Sequence, residues 1–361
     1  MTRRQFTTDC EGPVSKNDNA QELMAYFVPE GGDLFAKISK YDDYLADIVQ
    51  KPGYKAGDTL RLILPFLRAY GATNLVIEEY SARHILLVPG AKGMLRIARD
   101  RMPSFIISTS YRPYIQALCE VIGFPAEQTY CTELDIDRYA IPDSEMAQLK
   151  KWVQEIHALP MIEWSAEATS LDDLSPSSKD AVRRLNTIFW EEMPSMVVGR
   201  MLEDVNPIGG VEKARALRDS LQRTGIPPEE ALYVGDSITD VQAFQWIRQN
   251  GGLAISFNGN RYALRSVSIA CMADHTLVMA LLADVFARGG KRAVMELVGD
   301  WNHSTIRCIG ADPSIVEDLL QRYPDELPTV ALISDENREI LTEESERIRK
   351  SVRGEEVGRL G

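Results

Sequence analysis

The chain has 361 residues, of which 45% are hydrophobic and 26% charged, and its formal net charge is −13. That is enough apolar material for one large domain with insertions or for two domains. The acid excess argues against a nucleic-acid backbone or an anionic membrane as the main partner, and is met most simply by a solvated acidic surface.

In chain order, Gln5 to Thr8 reads as a short strand that runs into the turn Asp9-Cys10-Glu11-Gly12-Pro13. From about Asn17 to Leu87 the pattern is mostly helical. In DLFAKISKYDDYLADIV the apolar positions Leu34, Ile38, Tyr41, Leu45 and Ile48 recur at three- and four-residue steps. A second helix is expected over Asp58 to Tyr70, with Asp58 as its cap. At Pro89 the character changes. GAKGMLRIARDR predicts a helix, SFIIST a strand, Tyr111 to Ile122 a helix closed by Gly123, and Gln128 to Leu134 another strand. Such alternation predicts a parallel sheet covered by helices.

A second helical insertion is expected over about 137–206, with helices at Ser144 to His157 and Ser178 to Glu192. The alternation then returns: GGVEKARALRDSLQRTG (helix), ALYVGD (strand), TDVQAFQWIRQN (helix), GLAISF and SVSIAC (strands), and HTLVMALLADVFA (helix). Beyond about Gly290 the chain reads as helical and then highly charged, with an end expected to fray. The fold class is therefore α/β: a Rossmann-like, mostly parallel sheet from residues 1–16, 88–136 and 207–290. To it are added helical segments over 17–87 and 137–206 and a helical, charged extension over 291–361.

Five cysteines stand at 10, 119, 131, 271 and 308 without a CxxC pair, which fits a reducing compartment better than a disulfide framework or a structural zinc site. MTRRQFTTD has no apolar h-region, and no run approaches the ~18 apolar residues of a membrane span. A cytoplasmic protein is expected, with no nucleic-acid or membrane partner; oligomeric state is open.

Ligands of parallel α/β sheets sit at the carboxyl ends of the strands. Here those ends carry Asp9 and Glu11, then Ser108, Thr109 and Ser110, then Asp236 and Asp240, with Lys213 on the helix before the last of these strands. Carboxylates of this kind can hold a hard cation such as magnesium beside a phosphate. A carboxylate nucleophile can form an aspartyl-phosphate, and a second acid two residues on can protonate the leaving oxygen and later activate water. A hydroxyl and a Lys can hold the phosphoryl oxygens.

The chain resembles the haloacid dehalogenase superfamily of aspartate-nucleophile phosphohydrolases, and most its phosphoserine-phosphatase-like branch. The resemblance lies in TTDCEGPVS, SFIISTS, GGVEKARAL and VGDSITD, with VPGAKGMLRIAR and YRPYIQALCEVIGF in support, and covers roughly half the chain. It implies Asp9 as nucleophile, Glu11 as acid/base, Ser108, Thr109 and Lys213 as phosphate binders, and Asp236 as a Mg²⁺ ligand. Asp240 would support the ion, and the Glu11 main-chain carbonyl would face it. The segment 17–87 would be a cap, and the substrate a small phosphorylated metabolite. Glu11 stands where the family usually has Asp, and Pro13 where Thr is common. Glu11 also keeps open a regulatory protein of this fold with little turnover.

A competing reading takes GDSIT as a GDSL-type esterase block, with Ser237 as nucleophile and Asp300-Trp-Asn-His303 as its partner block. Ser237 lies two-thirds along the chain, too late for that family, and TDCEG would have no role. Asp300 and His303 are then ordinary helix-end residues. His84, His157 and His275 show no paired ligand spacing. Arg112 is a further candidate anion contact.

Overall fold

The computed structural model describes residues 3–165 and 167–358. Residues 1–2, 166 and 359–361, which belong to three of the segments above, lie outside the described residues, as does the extreme end expected to fray.

The elements follow in chain order. Strand β1 (Gln5–Thr8) leads to helices α1 (Asn19–Phe27), α2 (Gly31–Asp43), α3 (Thr59–Ala69) and α4 (Asn74–Arg83). Then come α5 (Ala91–Arg101), β2 (Ser104–Tyr111), α6 (Arg112–Ile122) and β3 (Thr129–Thr132). The second helical stretch holds α7 (Asp143–Ala158), α8 (Pro176–Asn186) and α9 (Arg200–Asp204). The chain continues through α10 (Val211–Thr224), β4 (Ala231–Gly235), α11 (Val241–Gln249), β5 (Leu253–Phe257), α12 (Arg261–Leu264) and β6 (Ile269–Met272). It ends with α13 (Leu277–Gly299), α14 (His303–Cys308), α15 (Pro313–Arg322), β7 (Thr329–Leu332) and α16 (Arg338–Arg353), followed by a last short turn of helix.

The seven strands form one sheet in the order β3-β2-β1-β4-β5-β6-β7, parallel except for β7, which pairs antiparallel with β6. This is the α/β, mostly parallel architecture the alternation predicts. β1, β4 and β5 are buried along their whole length. Continuous burial is expected of strands covered on both faces, and it explains why β4 and β5 read as apolar runs without alternation; β1 is buried with polar side chains, and Gln5 donates to Ser220 at 2.8 Å. One face packs against α5, α6 and α13 through residues such as Leu95, Leu118 and Leu282. The other packs against α10, α11 and α16 through Leu217, Phe244 and Leu341.

The segments 17–87 and 137–206 share one hydrophobic cluster, which includes Phe66, Trp152, Ile156 and Phe189. Phe66 and Phe189 meet edge-on at 6.2 Å, and Tyr41 donates to Asn186 at 2.5 Å while accepting from Trp190 at 2.8 Å. Two stretches distant in sequence thus build a single helical layer over one end of the sheet. No single helix among the described residues is long and apolar enough to cross a membrane.

Three local expectations change. Asp58 makes no capping hydrogen bond on α3; its buried carboxylate pairs with Lys55 at 2.7 Å and Arg61 at 2.5 Å instead. The helix expected over Ser178 to Glu192 ends at Asn186 and continues as a π-helical turn, Thr187–Glu192. The C-terminal extension is not all helical. β7 closes the sheet, and its four residues, only partly buried, are too short a run for period-2 alternation to register.

Candidate active site

β1 lies between β2 and β4, and its register pairs Thr8 with both Ile106 and Val234. The ladder continues one residue further, where the Asp9 N–H donates to the Val234 carbonyl at 2.8 Å. This holds the residue after β1 beside the residue after β4, so Asp9 and Asp236 leave the sheet together. Gly12 makes the approach possible. Its φ is +104°, and a Cβ there would lie 2.1 Å from Asp236 Oδ2. Only glycine fits both the backbone angle and the space.

Carboxylate oxygens of Asp9, Asp236 and Asp240, all buried, lie within 4.8 Å of one another. Lys213, fully buried on the first turn of α10, bridges two of them: Nζ is 2.6 Å from Asp9 Oδ2 and 2.8 Å from Asp240 Oδ1. The second oxygen of Asp9 accepts from the Cys10 N–H at 2.6 Å. Asp240 is engaged at both oxygens. Oδ1 also accepts from Tyr233 at 2.7 Å, and Oδ2 accepts the N–H groups of Asp236 at 3.0 Å and Ser237 at 3.1 Å. Asp240 therefore fixes the turn after β4, while Asp9 and Asp236 line the pocket.

Electrostatics follow from this crowding. Burial pushes the Asp9 carboxyl up to about 8; Lys213 pulls it down, while Asp240 and Asp236 push it further up. Burial disfavours the charged Lys213, but Asp240 and Asp9 more than offset that and raise its pKa. Glu11 is also pushed up to about 8, first by burial and then by Asp18. Its Oε1 accepts from the Asn19 N–H at 2.8 Å, at the start of α1. The Glu11 side chain therefore sits beside the triad rather than within it.

Ser108 is buried, and its hydroxyl accepts from the Ser110 N–H at 3.1 Å. Thr109 donates to the Ile208 carbonyl at 3.1 Å and lines the pocket. That pocket has a volume of about 80 Å³ and opens between the strand ends and the helical layer. Asp9, Glu11, Thr109 and Asp236 form its floor, and Phe35, Asp42, Asp43 and Leu60 close it from above.

Two functional candidates were missed by sequence reasoning: Arg349 and Arg353 of α16, which also line the pocket. Arg349 contacts Asp236 Oδ2, and Arg353 Nη1 reaches the same oxygen at 3.3 Å. Their signal was present in REILTEESERIRKSVR, where Leu341, Ser345, Arg349 and Arg353 recur every four residues. A stripe that begins apolar and continues with Arg marks a buried face with a charge to satisfy. Five carboxylates here (Asp9, Glu11, Asp18, Asp236 and Asp240) thus surround three cations (Lys213, Arg349 and Arg353). All-oxygen donors with an excess of negative charge are what a hard divalent cation requires.

Other candidates fall away. Arg112 pairs with Glu133, at 2.7 and 2.8 Å from Nε, and does not line the pocket. The Ser237 hydroxyl pairs with Thr239 at 3.0 Å, whereas His303 Nε2 lies 3.0 Å from the Tyr323 carbonyl and Asp300 accepts from Thr305. Ser237 and His303 are therefore not assembled into the Ser–His pair of an esterase.

Sheet order and the acids at the tips of β1 and β4 define an α/β core with an acidic centre at the carboxyl ends of its strands. Its topology is Rossmann-like, with six parallel strands and one antiparallel edge strand. No family model and no curated protein matches the chain. Among solved structures, the gene product AF1437 from Archaeoglobus fulgidus is similar at 28% identity, with a TM-score of 0.81, over 100% of this chain and 99% of that one. A phospho-aspartyl intermediate analogue of phosphoserine phosphatase shares 14% identity with a TM-score of 0.45, over 75% of this chain and 93% of that one.

Proposed function

We propose that this chain is a Mg²⁺-dependent phosphohydrolase that cleaves a small phosphomonoester through an aspartyl-phosphate at Asp9. The observation that carries the reading is the buried Asp9–Lys213–Asp240 arrangement, with Asp236 alongside, opening onto one small pocket.

Asp9 and Asp236, with the main-chain carbonyl of Glu11, are the groups to hold the cation, and Asp240 braces them. When bound, the ion supplies positive charge to the phosphoryl oxygens and favours ionised Asp9. The Asp9 carboxylate attacks phosphorus, an acyl-phosphate bond forms, and the ester P–O bond breaks. Glu11, held protonated near neutral pH by its raised pKa, gives its proton to the leaving oxygen. The resulting carboxylate then takes a proton from water, which attacks phosphorus and releases Asp9 and inorganic phosphate. Of the family-type phosphate residues, Thr109 lines the pocket; Lys213 orients Asp9 from behind the floor at 2.6 Å, and Ser108 fixes the strand end through the Ser110 N–H. The joint helical layer acts as a cap that limits the substrate to a small metabolite and excludes water. A cytoplasmic setting goes with this reading.

The test is hydrolysis of p-nitrophenyl phosphate and a panel of metabolite phosphates, with and without Mg²⁺, by the wild type and by Asp9→Asn. Activity that needs both Mg²⁺ and Asp9 supports the reading; activity indifferent to both contradicts it. A second reading, a regulatory protein with little turnover, is favoured by the engagement of Glu11 with Asn19. Mg²⁺ binding without hydrolysis of any phosphoester would support it instead.

A further inference from the structure

The C-terminal helix is a wall of the pocket. Along one stripe of α16, Leu341 joins the core, and Ser345 donates to the Gly259 carbonyl at 2.6 Å, which seats the helix against the loop after β5. One turn on, the Arg349 side chain is 3% exposed and contacts Asp236. One turn further, Arg353 bridges the turn after β4 and the loop before α1. Its Nη1 faces Asp236, Nη2 donates to the Asn17 carbonyl at 2.5 Å, and Nε donates to the Lys16 carbonyl at 3.2 Å. Two guanidinium groups are thus buried together at the mouth between the sheet and the helical layer. Burying them is costly unless their charge is used.

The pocket's own charges show the use. Six carboxylates line it: Asp9, Glu11, Asp18, Asp42, Asp43 and Asp236. Among its described lining residues, positive charge comes from Arg349 and Arg353. Lys213 lies behind the floor, between Asp9 and Asp240. A phosphomonoester dianion entering this space is repelled on most sides and meets one pair of forked donors, the geometry that suits phosphate oxygens.

We propose that Arg349 and Arg353 are substrate-binding residues that grip the phosphoryl oxygens, so the C-terminal helix completes the phosphate site. The inference rests on the phosphohydrolase reading of this site. The arriving anion draws both guanidinium groups toward itself, and the Asp236 oxygen they share is passed to the cation. Anion and cation then bind cooperatively, because each takes up a charge that the other releases.

The experiment is calorimetric titration of inorganic phosphate into the full chain at saturating Mg²⁺, paired with titration of Mg²⁺ alone. The variants are Arg353→Gln, Arg353→Lys and Arg349→Lys; the two Lys variants keep the charge, so the fold survives even if a neutral residue at 349 or 353 is not tolerated. Far-UV circular dichroism confirms folding. Loss of one charge-assisted contact should weaken phosphate binding about 10- to 100-fold in Arg353→Gln, and the Lys variants should fall between it and the wild type. Affinity for Mg²⁺ alone should stay level or tighten, since a competitor for Asp236 has gone. Phosphate affinity within twofold of the wild type in folded variants would overturn the proposal. So would equal losses for Mg²⁺ and phosphate, which would make the arginines mere supports of Asp236. A wild type that turns over phosphoesters while these variants bind phosphate normally sinks this inference alone; a wild type that binds no phosphate sinks the phosphohydrolase reading with it.

Discussion

Replacing Lys213 by Met, a side chain of similar volume, removes one charge from between two buried carboxylates. At an effective dielectric of about 20, unit charges at the observed 2.6 and 2.8 Å attract by about 6 kcal/mol per pair. Desolvation of the three buried ions, several kcal/mol each, cancels most of that gain in the wild type. In Lys213→Met the Asp9 and Asp240 desolvation remains and the attraction is gone, so the expected loss is about 3–5 kcal/mol. Asp9 can limit the loss by taking up a proton, because its pKa is already raised. The deficit should therefore be smaller near pH 6 than near pH 8. Mg²⁺ should restore part of it by mass action, since it binds the folded form. Urea unfolding followed by Trp fluorescence, at both pH values and with or without Mg²⁺, measures all three effects. A variant within about 1 kcal/mol of the wild type at pH 8 would refute the reasoning, because it would mean the carboxylates do not depend on that cation.

Three other outcomes are expected. Gly12→Ala should lose activity and Mg²⁺ affinity together, with a stability loss of about 2 kcal/mol or more, because both the φ of +104° and the 2.1 Å approach to Asp236 oppose a side chain; crystallography and calorimetry check it. Asp42→Asn should flatten part of the pH dependence of stability. Burial foremost pushes Asp42 up to about 7, so its carboxyl favours the folded state fully below about pH 4 and loses that advantage as pH rises toward about 7. The variant should thus gain on the wild type near neutral pH more than near pH 5, by urea midpoints; the Asn oxygen can accept the Gly57 N–H, and its amide NH2 can donate to the Tyr54 hydroxyl oxygen in place of the present Tyr54-to-Asp42 bond. Tyr233→Phe removes one of the donors to Asp240 Oδ1; a loss of about 1–3 kcal/mol is expected in denaturant titrations.

The sheet was legible because strands such as β4 and β5 are continuous apolar runs with polar groups at one end, and the floor of the pocket because Asp9 and Asp236 sit at those ends, with Lys213 behind them on the helix between. Residues brought together across long stretches of chain were not legible. The two helical segments read as separate pieces, since nothing local announces that Tyr41 will meet Asn186 and Trp190. β7 is four residues, three of them half-buried, that pair only because β6 offers an edge. Arg349 and Arg353 read only as part of a helical, highly charged extension, and the tertiary fold alone turns their stripe toward Asp236. Glu11 was legible as an acid but not as the acceptor of the Asn19 N–H, because a helix start eight residues on chooses its rotamer.

The central claim is that Asp9 receives the phosphoryl group. Borohydride reduces an acyl phosphate to an alcohol, so a reaction quenched during turnover with a phosphomonoester and Mg²⁺ should yield homoserine at position 9 by peptide mass spectrometry. Homoserine at position 9 that disappears when Mg²⁺ is withheld is the result this account predicts; turnover with position 9 still aspartate, or with the label on another carboxylate, would contradict it.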